Sequence, residues 1–255
     1  MQLDRVWHGF QRKERSVRSG SRSRSLGRIL LTIAMLTLAG FADAAYAHAV
    51  GGRDAAFVAA VRGPAPGPFL YLGAKHMVTG YDHLLFLLGV IFFLQRFRDI
   101  VLYVSLFSAG HSITLLSGVL MGFGLDSYLV DAAIGLSIVY KAFDNLGGFE
   151  RTIGMRPDPR LIVFGFGLVH GLGLSTKLEK LHLNREGLSA NLVSFNVGVE
   201  VGQVIALSII LALILAWRRT RIFASTAVAA NWAIMTSGFV LMGFQIAGYA
   251  WGVNA

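Results

Sequence analysis

The chain has no cysteine among its 255 residues and little charge, with Asp, Glu, Lys and Arg making up only 15%. Without cysteine, disulfide scaffolds, thiolate metal sites, iron–sulfur clusters and thiol catalysis are all excluded. A soluble domain of this length carries about a quarter charged residues, so the low charged fraction argues against that class. Disordered and collagen-like chains are far less apolar. No Walker motif, dinucleotide fingerprint or internal repeat is present in the sequence. What is there is hydrophobic: 55% of the residues are apolar, the mean hydropathy is +0.60, and there are 30 glycines. A bilayer-crossing helix takes about 20 apolar residues, which leaves room for roughly six or seven spans. The sequence predicts an all-α, polytopic membrane helical bundle.

The formal charge of +9 sits mostly in one place. Residues 1–28 hold eight basic side chains (Arg5, Arg12, Lys13, Arg15, Arg18, Arg22, Arg24 and Arg28) against Asp4 and Glu14, a net +6. An apolar stretch from Ile29 to Ala42 follows, then Ala45-Tyr46-Ala47. A positive n-region, a short apolar core and a small-x-small exit read as a secretory signal peptide over residues 1–47, cleaved between Ala47 and His48. A transit peptide or a retained first helix are the alternatives. A nucleic-acid partner is not expected, because no basic patch with interleaved aromatics recurs elsewhere. Residues 48–68 then form a periplasmic segment, with a Gly/Pro-rich link from Gly63 to Pro68.

Six apolar segments follow within residues 69–252: Phe69–Leu94, Ile100–Gly122, Tyr128–Leu146, Leu161–Thr176, Asn191–Trp217 and Val228–Trp251, with a short tail at 253–255. Backbone groups in lipid must be satisfied within each span, and the connections are short, so an antiparallel bundle is expected. Arginine marks every second loop: Arg96 and Arg98; Arg151, Arg156 and Arg160; Arg218, Arg219 and Arg221. The opposite loops carry only Lys177, Lys180 and Arg185, diluted by Glu179 and Glu186. By the positive-inside rule the arginine loops are cytoplasmic and both mature termini periplasmic, in a bacterial inner membrane. The pairs Gly118/Gly122, Gly167/Gly171 and Gly198/Gly202 are small-xxx-small spacings that let helices approach closely.

Ionisable groups inside a bilayer are costly and mark function. His76, Asp82 and His83 lie in the first segment, His111 in the second, His170 in the fourth and Glu200 in the fifth. At about 1.5 Å per residue from the outer end of each segment, His76 and His170 lie near ~9 Å, His111 and Glu200 near ~15 Å, and Asp82 and His83 near ~18–20 Å. Four helices thus bring imidazole or carboxylate to the outer half or middle of the membrane. On an ideal helix His76 and His83 share a face but are about 10 Å apart along the axis. Two successive stations are therefore expected, unless Gly80 marks an unwound turn. Imidazole and carboxylate without thiolate suit Ni²⁺, Co²⁺, Zn²⁺ or Cu²⁺. Asn196 and Gln203 flank Glu200 as weaker ligands. His48, as the mature N-terminal residue, would chelate through its α-amine and ring. Lys141 and Asp144, at i and i+3, are expected to pair with each other, and Asp126, Asp131 and His182 to be solvated at the outer interface.

The run His76-Met77-Val78-Thr79-Gly80-Tyr81-Asp82-His83 resembles the His-Pro-x-x-Gly-x-Asp-His signature of the HupE/UreJ family, membrane accessory proteins of nickel hydrogenases and ureases. Phe107-x-x-Gly110-His111-Ser112 and Phe195-Asn196-x-Gly198-x-Glu200-x-Gly202-Gln203 are similar to later motifs of its second branch. Met77 stands where the family often has proline. Of the Phe-His-Gly-x-Ala-His-Gly form of the fourth span, only the second histidine, His170, is kept. The resemblance implies nickel or cobalt permeation, whereas the residues alone imply a divalent cation. The expected function is a secondary, ATP-independent permease for a divalent transition metal, nickel first. A periplasmic metal carrier or membrane subunits would be its protein partners. An intramembrane metal-dependent hydrolase and a non-transporting assembly or cofactor-binding subunit are the alternatives.

Overall fold

The computed structural model describes residues 53–122, 124–179 and 184–252. The expected signal peptide, its cleavage site, His48, His182 and the tail at 253–255 lie outside the described residues. Within them the chain is all-helical: α1 (Arg53–Ala60), α2 (Pro66–Thr79), α3 (Tyr81–Ile91), α4 (Phe97–Met121), α5 (Ser127–Asn145), α6 (Gly148–Ile153), α7 (Pro159–Glu179), α8 (Leu188–Arg218) and α9 (Phe223–Trp251). Local chemistry sets several of these ends. Pro66 opens α2, where its missing N–H costs nothing. Asp126 caps α5 by accepting from the N–H of Tyr128 (2.9 Å) and Leu129 (3.2 Å). Gly122 stops α4 in the left-handed region at φ 68°. It is thus a helix cap and not half of the expected packing pair with Gly118.

Four helices (α4, α7, α8 and α9) are long and apolar enough to cross a bilayer. This is a membrane protein. The expected first span is broken into α2 and α3, and α5, which carries Asp131, Lys141 and Asp144, is not among the four. The count of six therefore rests on reading the broken pair and α5 as crossings.

Three helix pairs make the frame: α2 with α8, α4 with α7, and α5 with α9. Short α3 lies between them and touches helices of all three pairs. Each seam closes on glycine, because in lipid close backbone contact, not hydrophobic burial, drives helix association. At the first seam a Cβ on Gly198 would overlap the Leu70 carbonyl, and one on Gly73 the Phe195 carbonyl. At the second, Gly167 faces the Phe107 carbonyl and Gly171 the His111 carbonyl. At the third, Gly135 and Gly238 face each other's helix.

The arginine-rich end of the bundle is tied down. Arg218 donates to the carbonyls of Leu94 (2.7 Å), Ile91 (3.1 Å) and Phe92, capping the carbonyl end of α3. Asp144 pairs with Lys141 (2.6 Å), as its spacing led one to expect, and also with Arg156 (3.0 Å). At the other end Asn191 holds the Gly/Pro link by accepting from the Ala65 N–H (2.6 Å) and donating to the Gly63 carbonyl (3.1 Å). Asp131, expected to be solvated, pairs with Lys177 (2.8 Å).

Gly198→Ala and Gly167→Ala are each expected to lower thermal stability in detergent by about 1–3 kcal/mol, since the added methyl meets backbone that cannot yield. Gly165→Ala, with nothing within 4 Å of the new Cβ, should leave the melting temperature unchanged or slightly raised.

Candidate metal centre

The first span is interrupted at Gly80, whose φ of −73° and ψ of 94° leave the helical region between α2 and α3. The angles suit any residue, but the space does not. A Cβ there would sit 2.9 Å from the His76 carbonyl oxygen, 3.0 Å from His83 Nδ1 and 3.2 Å from Asp82 Oδ1. Met77 lies inside α2, which continues to Thr79, so the break needs no proline after His76. The turn has a direct consequence. The rings of His76 and His83 are 5.1 Å apart between centroids, not one above the other at the spacing of a continuous helix. The expected two stations collapse into one neighbourhood.

His83 is the hub of that neighbourhood. Its ring lies 5.7 Å from His111 and 4.8 Å from His170. The ligand atoms of His76, His83 and His111 all fall within 4.8 Å of one another, and so do those of Asp82, His83 and His170. Nitrogens bound about 2.1 Å from one ion are at most about 4.2 Å apart, so small side-chain adjustments close either set. Asp82, His83, His111 and His170 are 7%, 2%, 1% and 0% exposed. Such burial of four ionisable side chains from three helices, with half-buried His76 beside them on α2, is expensive in lipid and points to function.

Hydrogen bonds fix the tautomers. Asp82 Oδ1 accepts from the His83 backbone N–H (2.6 Å) and faces His83 Nδ1 at 2.7 Å. A carboxylate only accepts, so Nδ1 carries the proton and the lone pair is on Nε2. That nitrogen has no hydrogen-bond partner among the described residues. The Ser137 hydroxyl donates to the Ile134 carbonyl (2.6 Å), so its oxygen accepts from His170 Nε2 at 3.0 Å. His170 therefore presents the lone pair of Nδ1. Neither ring nitrogen of His111 has a hydrogen-bond partner among the described residues, an arrangement that is costly in a buried imidazole and suited to a ligand. Carboxylate or hydroxyl behind a histidine is the usual support of a metal ligand.

An aromatic sleeve surrounds the donors: Phe107 lies 5.1 Å from His170, Phe86 5.3 Å from His170, and Phe195 6.1 Å from His76. Phe166, four residues before His170 where HupE-type relatives of the motif have their first histidine, packs on Phe86 (5.7 Å) and Tyr140 (5.3 Å). The fourth span thus brings one donor and an apolar wall.

Glu200, Asn196 and Gln203 stand in neither ligand group. They form a polar strip on α8 facing α4: Ser108 donates to Glu200 Oε2 (3.1 Å), Gln203 donates to Ser108 Oγ (2.8 Å), and Ser112 donates to Asn196 (3.0 Å). Ser137 was not singled out in the sequence. Counting ten residues into α5 would have put it at the histidines' depth, about 15 Å from the outer end.

A family model described as HupE/UreJ protein matches residues 52–253, the bulk of the chain. No curated protein and no solved structure matches it. The chain belongs to the HupE/UreJ family, which connects it with the handling of divalent metals.

Asp82→Asn keeps the side chain's shape but replaces the charged carboxylate that holds His83 with a weaker, neutral amide acceptor. Affinity for Ni²⁺ or Co²⁺, measured by calorimetry on the purified protein, is expected to fall about 10–100-fold. Helix content by circular dichroism should be unchanged.

Proposed function

We propose that this member of the HupE/UreJ family is a secondary, ATP-independent permease for a divalent transition metal, with Ni²⁺ as the first substrate and Co²⁺ as the next. The observation that carries the proposal is the convergence of His76, Asp82, His83, His111 and His170 at a helix break inside the bilayer. Irregular backbone at membrane depth is tolerated only where it is buried or lines a cavity, and broken helices are where transporters place substrate sites. Nitrogen-rich donors without thiolate suit Ni²⁺, Co²⁺ and Zn²⁺ better than Cu(I) or Mg²⁺. His76 is the most open of the five and takes a partly dehydrated ion. Asp82 and His83 hold it, with His111 and His170 completing its coordination from α4 and α7.

On this reading the protein lies in the bacterial inner membrane with six crossings, counting α2 and α3 as one. The arginine end, closed by Arg218 and by the Lys141–Asp144–Arg156 cluster, faces the cytoplasm. Both mature termini are then periplasmic, as a cleaved signal peptide over 1–47 requires. The ion moves down its own gradient or against a coupled one, since no nucleotide-binding motif is present in the sequence.

Uptake of ⁶³Ni by cells expressing His83→Ala, normalised to the amount of protein in the membrane, is expected to fall at least about tenfold against wild type. Equal uptake by the two would sink the permease proposal.

A further inference from the structure

Glu200 is the odd member of the polar set. It lies twelve residues, about 18 Å, inside α8 from Leu188, yet its side chain is exposed. An ionised carboxylate at that depth cannot face hydrocarbon without a penalty of several kcal/mol. Gln203 donates to Ser108, and Ser108 donates to Glu200 Oε2. The chain of donors ends on the carboxylate, leaving its other oxygen and the exposed side for water or a cation.

The surroundings say which way it faces. The α2–α8 and α4–α7 seams are closed by glycine against backbone, whereas α4 and α8 approach far more loosely. What lies between them is polar: Ser108 and Ser112 from α4, Asn196, Glu200 and Gln203 from α8. Exposure falls inward along this strip, from Glu200 through half-buried Ser112 to His111, the next residue on α4 and 1% exposed. Two buried atoms of the strip have no hydrogen-bond partner among the described residues, the acceptor Gln203 Oε1 and the donor Asn196 Nδ2, as expected where water completes the set.

We infer that the opening between α4 and α8 is the route to the histidines, and that Glu200 with Ser112 and Asn196 forms a separate oxygen-donor docking site there for a hydrated divalent cation. Oxygen ligands of this kind hold a cation through or beside its waters. The negative charge raises its local concentration next to His111, where imidazole displaces water. The ion comes from the aqueous face along this polar seam and turns in to the histidines at the level of Glu200, not along the axis of the broken span. The route rests on the histidine cluster being a metal centre, as proposed above.

The cysteine-free chain allows a direct test in the full-length protein. Glu200→Cys and Ser112→Cys in proteoliposomes are treated with a charged, membrane-impermeant methanethiosulfonate, with Ile209→Cys on the exposed far part of α8 as the control. Both cleft positions are expected to label at least about tenfold faster than Ile209→Cys. For Ser112→Cys, Ni²⁺ at about ten times its Kd leaves roughly one site in eleven open, so labelling slows about tenfold. Because the docking site is separate from the histidines, adding His83→Ala should keep both the labelling and the protection, whereas adding Glu200→Gln should keep the labelling and remove the protection. Independently, Glu200→Gln should raise the KM for ⁶³Ni uptake about tenfold with kcat little changed, as lost electrostatic concentration of the substrate requires. Labelling of both cleft cysteines no faster than the control, or an unchanged KM in Glu200→Gln, overturns the route. A dead His83→Ala beside an unlabelled cleft leaves the metal centre standing without it. A labelled, Ni²⁺-protected cleft with normal uptake in His83→Ala instead removes the histidine centre on which the permease reading and the route both rest, and leaves only cation docking at Glu200.

Discussion

Everything at the centre of this bundle depends on one interruption of a helix. A membrane span must satisfy its own backbone, so a break inside one survives only where protein surrounds it. Gly80 is buried there, with its N–H still bonded to the His76 carbonyl (2.8 Å) and its own carbonyl bonded to the N–H of Leu84 (3.0 Å). The backbone thus turns without orphaning these groups. The turn exposes a new helix N-terminus at α3, where Asp82 is favoured by the dipole and accepts the His83 N–H. The same oxygen holds His83 Nδ1. Chain geometry, carboxylate and ligand orientation are therefore one device, and none of the three works alone.

The device needs a frame that does not move, and the glycine seams supply it. Gly171 follows His170 directly and lies against the His111 carbonyl, while Thr114 on α4 donates to the Leu168 carbonyl (2.7 Å). Two of the histidines are thus locked to each other through backbone, not through their rings. The α2–α8 seam does the same for His76, since Gly198 and Gly202 meet the backbone of Leu70 and Ala74, six and two residues before it. Ligand positions must hold within about 0.5 Å to be useful, and loose leucine packing would not give that. Glycine is frequent in this chain because seams of this closeness are needed beside the site.

The depth count along each apolar segment found all five converging residues before any coordinates, because a helix rises a fixed distance per residue and lipid fixes the ends. It failed where a helix was assumed continuous. A lone glycine inside an apolar run is normally tolerated within a helix, so an unwound turn at Gly80 stood only as the named exception, and His76 and His83 were spaced as separate stations. Gly122 misled in the opposite direction: its spacing from Gly118 fits a packing motif, but its positive φ belongs to a helix cap. Ser137 escaped because serine in a span usually bonds its own backbone. It does so here with Ile134, and that bond is what turns its oxygen into the acceptor for His170.

The placement of the two donor types also bears on how a cation would be chosen. On the proposed route an ion meets oxygen first, at Glu200, Ser112 and Asn196, and nitrogen second, at His111, His83, His76 and His170. Oxygen donors attract any hydrated divalent cation, and Mg²⁺ or Ca²⁺ lose nothing by stopping there. Passing on means exchanging water and carboxylate for imidazole inside a sleeve of Phe86, Phe107 and Phe195. That exchange is unfavourable for hard ions and favourable for Ni²⁺, Co²⁺ and Zn²⁺. Selectivity then resides in the difference between two neighbouring sites, not in the affinity of either. The mouth can remain weak and unspecific, which suits rapid capture. The histidines can in turn remain few, which explains how the fourth span gives up a donor to Phe166 without losing the choice of metal.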